Sequence, residues 1–157
     1  MTVALVRVDD RLVHGQVVVG WGRPLRAAFI VVIDDALAAS DWEQELYRLG
    51  APADLTLEFV PVAEAAARRA GWESDPRPGI VLLGDITTAT ALAAAGVRFP
   101  HLNLGGVHHR PGRVERLPYV FLTDAEITAL QTLVRSGVEV TAQDVPTTRP
   151  VPLAELA

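Results

Sequence analysis

Apolar runs alternate along this chain with stretches in which apolar positions recur every three or four residues. "VALVRV" (3–8) reads as a strand and "GQVVVGWG" (15–22) as a short helix. "AFIVVIDD" (28–35) is almost continuously apolar, the pattern of a strand buried on both faces. "SDWEQELYRLG" (40–50) opens on a serine suited to cap a helix and closes on Gly50. "DLTLEFV" (54–60) alternates like a strand, and "PVAEAAARRAG" (61–71) is a helix with proline in its first turn and Gly71 at its end. "GIVLLGD" (79–85) is a second fully buried strand, followed by the helix "TTATALAAAG" (87–96), closed by Gly96. Short strands are predicted at "HLNLGG" (101–106), "PYVFLT" (118–123) and "VEVTAQDV" (138–145). Between the last two, "TDAEITALQTLVRSG" (123–137) carries Thr123 and Glu126 in the spacing of a capping box. Residues 73–78 and Gly105–Leu117 read as loops, and the tail from Pro146 to Pro152 as a loop leading to a short terminal helix.

Strands that alternate with helices imply an α/β fold: three α/β/α layers, with a mainly parallel sheet and helices on both faces. No repeat or composition break divides the 157 residues, so a single domain over 1–157 is predicted. In such sheets ligands bind beyond the C-terminal ends of the strands. Four polar clusters fall there: Asp9–His14, Asp34–Asp35, Asp85–Thr88 and Gly105–Arg110.

Composition narrows the chemistry. The net charge is −5, which disfavours nucleic acid as a partner, and all 14 basic residues are arginine, which excludes lysine chemistry. With no cysteine, disulfides, thiol catalysis and cysteine-bound zinc are excluded. The charged residues Arg7, Asp9 and Asp10 interrupt the apolar start, and no run is long enough to span a membrane. A soluble cytoplasmic protein is expected.

The first cluster, "VDDRLVHGQV", places a histidine, an arginine and a helix start within a few residues. His14 can act as nucleophile toward a phosphoryl group, and Arg11 can neutralise the phosphoryl oxygens with its forked donor. The N–H groups of Gly15, Gln16 and Val17 would complete a phosphate cradle at the helix start. Asp9 and Asp10 have two readings: residues of a turn, or carboxylates that orient Arg11 or one imidazole nitrogen. Asp85, Thr87 and Thr88 most simply cap a helix, and their hydroxyl and N–H groups could add donors to the same cleft. Asp34–Asp35 reads as a turn rather than a metal site, and the adjacent His108 and His109 as poor zinc ligands. Arg110 and Arg113 are expected to present a docking loop to an acidic or phosphorylated partner. Trp21, Trp42 and Trp72 are assigned to packing.

"RVDDRLVHGQV" closely resembles the active-site loop of the enzyme IIB components of the bacterial sugar phosphotransferase system, mannose/fructose/sorbose class. "LNLGGVHHRPGR" and "FLTDAEITALQTLVRSGVEV" resemble later segments of the same family, in the same order. The resemblance implies a phosphocarrier in which His14 accepts a phosphoryl group from a phosphohistidine of a IIA partner. His14 would pass it to a sugar carried by the membrane subunits IIC and IID, with no cofactor or metal. It also implies Arg11 as charge partner and Asp10 as a member of the active loop, and a place at the inner face of the membrane. The sugar and the oligomeric state stay open. So does a second reading, a regulatory phosphohistidine module acting on a protein partner, and a third, a hydrolase with His14 as base and Asp10 as orienter.

Overall fold

The computed structural model describes residues 3–157; Met1 and Thr2 of the expected domain lie outside the described residues. The main sheet is built from β1 (Val3–Val8), β2 (Phe29–Ile33), β3 (Thr56–Val60), β4 (Gly79–Leu83), β5 (His101–Leu104), β8 (Glu139–Ala142) and β9 (Val151–Pro152). Their order is β3-β2-β4-β1-β5-β8-β9. The first six run parallel, and β9 pairs antiparallel with β8. A separate antiparallel hairpin joins β6 (Val114–Leu117) to β7 (Val120–Leu122).

Alternation along the buried strands divides the core in two. Ile30, Val32, Ile80 and Leu82 point to one face, where they meet Val17 and Trp21 of the helical segment after β1, and Leu37 of α2 (Asp35–Ala38). Tyr47 of α3 (Asp41–Gly50) packs on the same cluster. Phe29, Val31, Ile33, Val81 and Leu83 point to the other face. There they meet α4 (Val62–Ser74), α5 (Ile86–Ala94) and α6 (Asp124–Arg135) through Trp72, Leu92 and Leu130, among others. The three-layer α/β arrangement is therefore the one the sequence predicts. The chain leaves β1 toward the first face, whereas β4 and β5, its neighbours on either side, lead to elements on the second. That reversal opens a crevice at the C-terminal end of β1, the place where open α/β sheets bind ligands.

Several local expectations are corrected. The segment after β1 is a π-helical turn, Gln16–Trp21, running into the short α1, Gly22–Leu25. Helix α4 does not stop at Gly71 but continues to Ser74. Glycine weakens a helix by only about 1 kcal/mol, and Trp72 beyond it is buried and donates its indole N–H to Glu58 Oε2 at 3.2 Å. Gly50 is the last residue of α3 rather than its cap, and Ser40 makes no side-chain cap bond. Trp42 is not a packing residue: it is 67% exposed. The stretch expected as a loop to Leu117 ends as strand β6, and the proline-rich tail contains β9. Gly79 is required for packing, because a Cβ there would collide with the Phe29 ring.

The capping box of α6 is formed. Glu126 N–H donates to Thr123 Oγ1 at 3.0 Å, and Thr123 N–H donates to Glu126 Oε1 at 2.9 Å. Arg113 adds a forked pair to the same carboxylate at 3.0 and 2.9 Å. Burial alone would raise the Glu126 carboxyl, but the bonds from Arg113 and Thr123 outweigh it and hold it below the ordinary value. Such a group contributes stability that is fully present above its unfolded value of about 4.3 and is lost as pH falls through its folded value. Thr123→Ala should therefore cost about 1 kcal/mol in urea unfolding. Glu126→Gln should flatten the loss of stability on acidification below about pH 4. Parallel acid limbs for the wild type and Glu126→Gln would contradict this assignment.

Candidate functional site

The loop after β1 is set into the sheet rather than lying on it. Asp9 N–H donates to Leu83 O at 2.9 Å on one side, and Gly105 N–H donates to Val8 O at 2.8 Å on the other. Asp10 N–H then donates to Gly106 O at 2.8 Å, so the Gly105–Arg110 stretch borders the loop as expected. Beneath it, Arg7 and Asp9 are both fully buried. Arg7 Nε and Nη2 each lie 3.3 Å from Asp9 Oδ2. Arg7 Nη1 donates to Asn103 Oδ1 at 2.6 Å and to Gln143 O at 2.8 Å, and Nη2 to Asp144 O at 3.2 Å. Its guanidinium also lies 5.2 Å from the centre of the Trp21 ring. Burial pulls the Arg7 pKa below its usual value, with Asp9 opposing. Gly105 makes room for this guanidinium, since a Cβ there would collide with it.

Asp9, not Asp10, faces the histidine. His14 Nε2 is buried and 3.1 Å from Asp9 Oδ1. The separation is that of a hydrogen bond, yet the ring is turned so that the N–H misses the oxygen, and the contact is electrostatic. The His14 side chain is 17% exposed, and with Nε2 sealed, Nδ1 is the ring nitrogen left to the open side. Asp9 Oδ1 also accepts from Arg11 N–H at 3.2 Å, and Oδ2 from Gly106 N–H at 3.3 Å. Between Asp9 and His14, Leu12 takes a left-handed backbone (φ 56°) and buries its side chain in the core. A leucine in that region is strained by about 1–3 kcal/mol, a cost offset by the anchor it provides at the turn.

Asp10 has a different task from the one predicted. Its Oδ2 accepts from His108 N–H at 2.7 Å, and its Oδ1 lies 2.6 Å from His108 Nδ1. It fastens the neighbouring loop and makes no bond to His14. Val17 is also corrected: its N–H donates to His14 O at 3.0 Å and is not free for a phosphate. Gly15 faces open space. Gln16 contributes through its side chain. Its Oε1 accepts from Arg11 Nη2 at 2.9 Å, while its Nε2 donates to Asp144 Oδ1 at 2.6 Å. Arg11, with its side chain half exposed, lies at the mouth, its Nε 4.0 Å from Asp9 Oδ1.

The remaining candidates are engaged elsewhere. Asp85 caps α5 by accepting from Thr88 N–H at 2.7 Å, and Thr87 lines a shallow groove between α5 and α6 beside Glu126. Asp34 caps α2, and Asp35 Oδ1 accepts from Val62 N–H at 2.8 Å, so both carboxylates serve turns. Arg113 is not a docking residue: only 8% exposed, it is held by Glu126 and donates to His108 O at 2.9 Å. Arg110 is exposed. His109 packs edge-on against Phe121, and His101 Nε2 pairs with Thr141 Oγ1 at 2.8 Å. Sequence reasoning missed Arg7, the Gln16 side chain and Asp144. Arg7 had one visible signal, a charge inside a strand that is otherwise apolar; Asp144 had none.

The geometry sets the partly exposed His14 imidazole with one nitrogen against a buried carboxylate, and a half-exposed arginine 4.0 Å from that carboxylate. Comparisons with known proteins identify the family. The family described as PTS system sorbose subfamily IIB component matches residues 3–157. The chain is 30% identical over 145 residues to the N-acetylgalactosamine-specific phosphotransferase enzyme IIB component 1 of Escherichia coli, covering 92% of this chain and 91% of that protein. It is 29% identical to the mannose-specific EIIAB component of Escherichia coli, covering 94% of this chain and 46% of that longer protein. Among solved structures, the IIBSor domain of the sorbose permease from Klebsiella pneumoniae superposes with a TM-score of 0.87 at 27% identity, covering 99% of this chain and 96% of that one. Fold, site and likeness over nearly the full length converge: this chain belongs to the sorbose subfamily of phosphotransferase-system IIB components.

Proposed function

We propose that this chain is a phosphocarrier whose His14 takes a phosphoryl group from a phosphohistidine of a IIA partner and delivers it to a sugar held by IIC and IID membrane subunits. The observation that supports this most is the imidazole pinned between a buried carboxylate and open solvent. Asp9 favours the tautomer with its proton on Nε2, which leaves the Nδ1 lone pair toward the donor. Rotation of the ring would align Nε2–H with Asp9 Oδ1, 3.1 Å away.

In the first step Nδ1 forms a bond to phosphorus as the donor's nitrogen–phosphorus bond breaks. The donor nitrogen keeps the electron pair of that bond. His14 becomes a phosphorylated imidazolium, its positive charge opposed by Asp9. Arg11 turns from Gln16 toward the phosphoryl oxygens, for which a planar fork is suited. In the second step a sugar hydroxyl forms the new oxygen–phosphorus bond and loses its proton to a base outside this chain. His14 departs as neutral imidazole, a better leaving group than an anionic ring, because Asp9 has kept the Nε2 proton in place. Among the described residues no helix is long and apolar enough to cross a membrane. The chain would therefore meet IIC and IID at the membrane's inner face as a peripheral partner.

Incubation with a phosphorylated IIA component of a mannose-class system should add the mass of one phosphoryl group. His14→Ala should abolish the labelling, while His101→Ala, His108→Ala and His109→Ala keep it. Labelling that persists in His14→Ala would overturn the assignment. Arg11→Ala should slow single-turnover transfer by about 10²–10³, and Arg11→Lys should recover only part, since an ammonium lacks the fork. Unchanged rates in both variants would show that Arg11 takes no part.

A further inference from the structure

Arg11, Gln16 and Asp144 form a chain whose direction is fixed by donor and acceptor chemistry. A carboxylate only accepts hydrogen bonds, a guanidinium only donates, and an amide does one at each end. Gln16 lies between the two. Its NH2 group must face Asp144, at 2.6 Å from Oδ1, so its carbonyl oxygen must face Arg11, at 2.9 Å from Nη2. If the amide flipped, it would set oxygen against oxygen on one side and N–H against N–H on the other. Asp144 therefore dictates which end of Gln16 meets the guanidinium beside His14, from 128 positions away in sequence.

Asp144 is in turn held by its main chain. Its carbonyl oxygen accepts from Arg7 Nη2 at 3.2 Å and from Trp21 Nε1 at 3.1 Å. Arg7 also holds the preceding carbonyl, Gln143 O, at 2.8 Å. The side chain of Asp144 is thus fixed by the same buried guanidinium that pairs with Asp9. One hub sets both the carboxylate that faces the imidazole and the chain that holds Arg11, whose Nε lies 4.0 Å from that same carboxylate.

We propose that Asp144 is a positioning residue for phosphoryl transfer, acting on Arg11 through the amide of Gln16. The proposal rests on the phosphocarrier reading of His14. Asp144 touches neither the imidazole nor the phosphoryl group. It stores Arg11 at the mouth of the site in a bond weak enough to exchange, since the carbonyl of Gln16 is neutral and a phosphoryl group is charged and forked. With the store gone, Arg11 samples many rotamers in water and must be ordered during each transfer, which slows the step.

Truncating the Asp144 side chain removes this link and a negative charge near Arg7, but none of the hydrogen bonds of Arg7 or Trp21, which use the main-chain oxygen. The probe is phosphoramidate, a small phosphoryl donor that needs no partner protein, with labelling of His14 followed by intact mass. Asp144→Ala should slow labelling at saturating phosphoramidate roughly tenfold. Asp144→Asn keeps an acceptor but no charge, and should fall between the wild type and alanine. In an Arg11→Ala background, Asp144→Ala should change the rate by less than about twofold, because residues that act through one another are not additive. Gln16→Leu breaks the same chain and serves equally if Asp144→Ala fails to fold. An NMR arm works without transfer: the Arg11 Nε–H signal should exchange faster with water in Asp144→Ala and Gln16→Leu than in the wild type. Wild-type rates in Asp144→Ala, or effects that add to those of Arg11→Ala, would overturn the proposal. So would faster labelling, equal in the Asn and Ala variants, which would mark Asp144 as merely a repelling charge. If wild-type His14 takes no label, the phosphocarrier reading fails instead, and the exchange of the Arg11 signal still decides whether Asp144 positions it.

Discussion

A guanidinium and a carboxylate, both sealed from water, determine the shape of the active end of this protein. Removing two charges from solvent costs several kcal/mol each unless their hydrogen-bonding capacity is met inside. Arg7 meets it with Asp9, Asn103, two main-chain carbonyls and the face of Trp21. Those partners come from the loop after β1, β5, the segment after β8 and the π-helical turn. Satisfying one charge therefore brings four parts of the chain together at the C-terminal edge of the sheet. Asp9, held from behind by Arg7, can afford only one orientation, and that orientation points Oδ1 at His14.

The second constraint is topological. Because β1 sends the chain to one face while β4 and β5 send it to the other, the loop after β1 lies at a crevice, where His14 lines a pocket with Leu46, Tyr47 and Gly50 of α3. The loop is nonetheless rigidly placed. Leu12 anchors it in the core, and Asp10 ties it to His108 of the next loop. Arg113 then joins that loop to the capped end of α6 through Glu126. Asp10, expected in the active loop, and Arg113, expected to dock a partner, both brace the stretch beside His14. In the proposed phosphoryl transfer the nucleophile must be closely placed, and a stiff platform under a partly exposed imidazole meets that need.

Much of this was legible in the sequence, for identifiable reasons. The fully buried strands, the capping box at Thr123 and Glu126, and the clustering of polar residues at strand ends follow from periodicity and local bonding, which a sequence records directly. His14 and Arg11 stood out because their chemistry is unusual at a strand-to-helix junction. What escaped was set by long-range packing. Asp9 and Asp10 are adjacent and identical, and only the sheet decides which faces inward. Gln16 was assigned a main-chain role because nothing local shows that its side chain meets Asp144. Gly71 looked like a helix stop until burial of Trp72 outweighed the weak local signal. Trp42 looked like core because tryptophan usually is, yet its place on α3 faces solvent.

The central claim is that a buried carboxylate selects which nitrogen of one imidazole carries the phosphoryl group. Long-range proton–nitrogen NMR spectra of the protein, recorded before and after phosphorylation, test it most directly. The account predicts a proton on Nε2 of His14 in both states and phosphorus on Nδ1 in the second. Phosphorus on Nε2, the nitrogen that Asp9 faces, would contradict it.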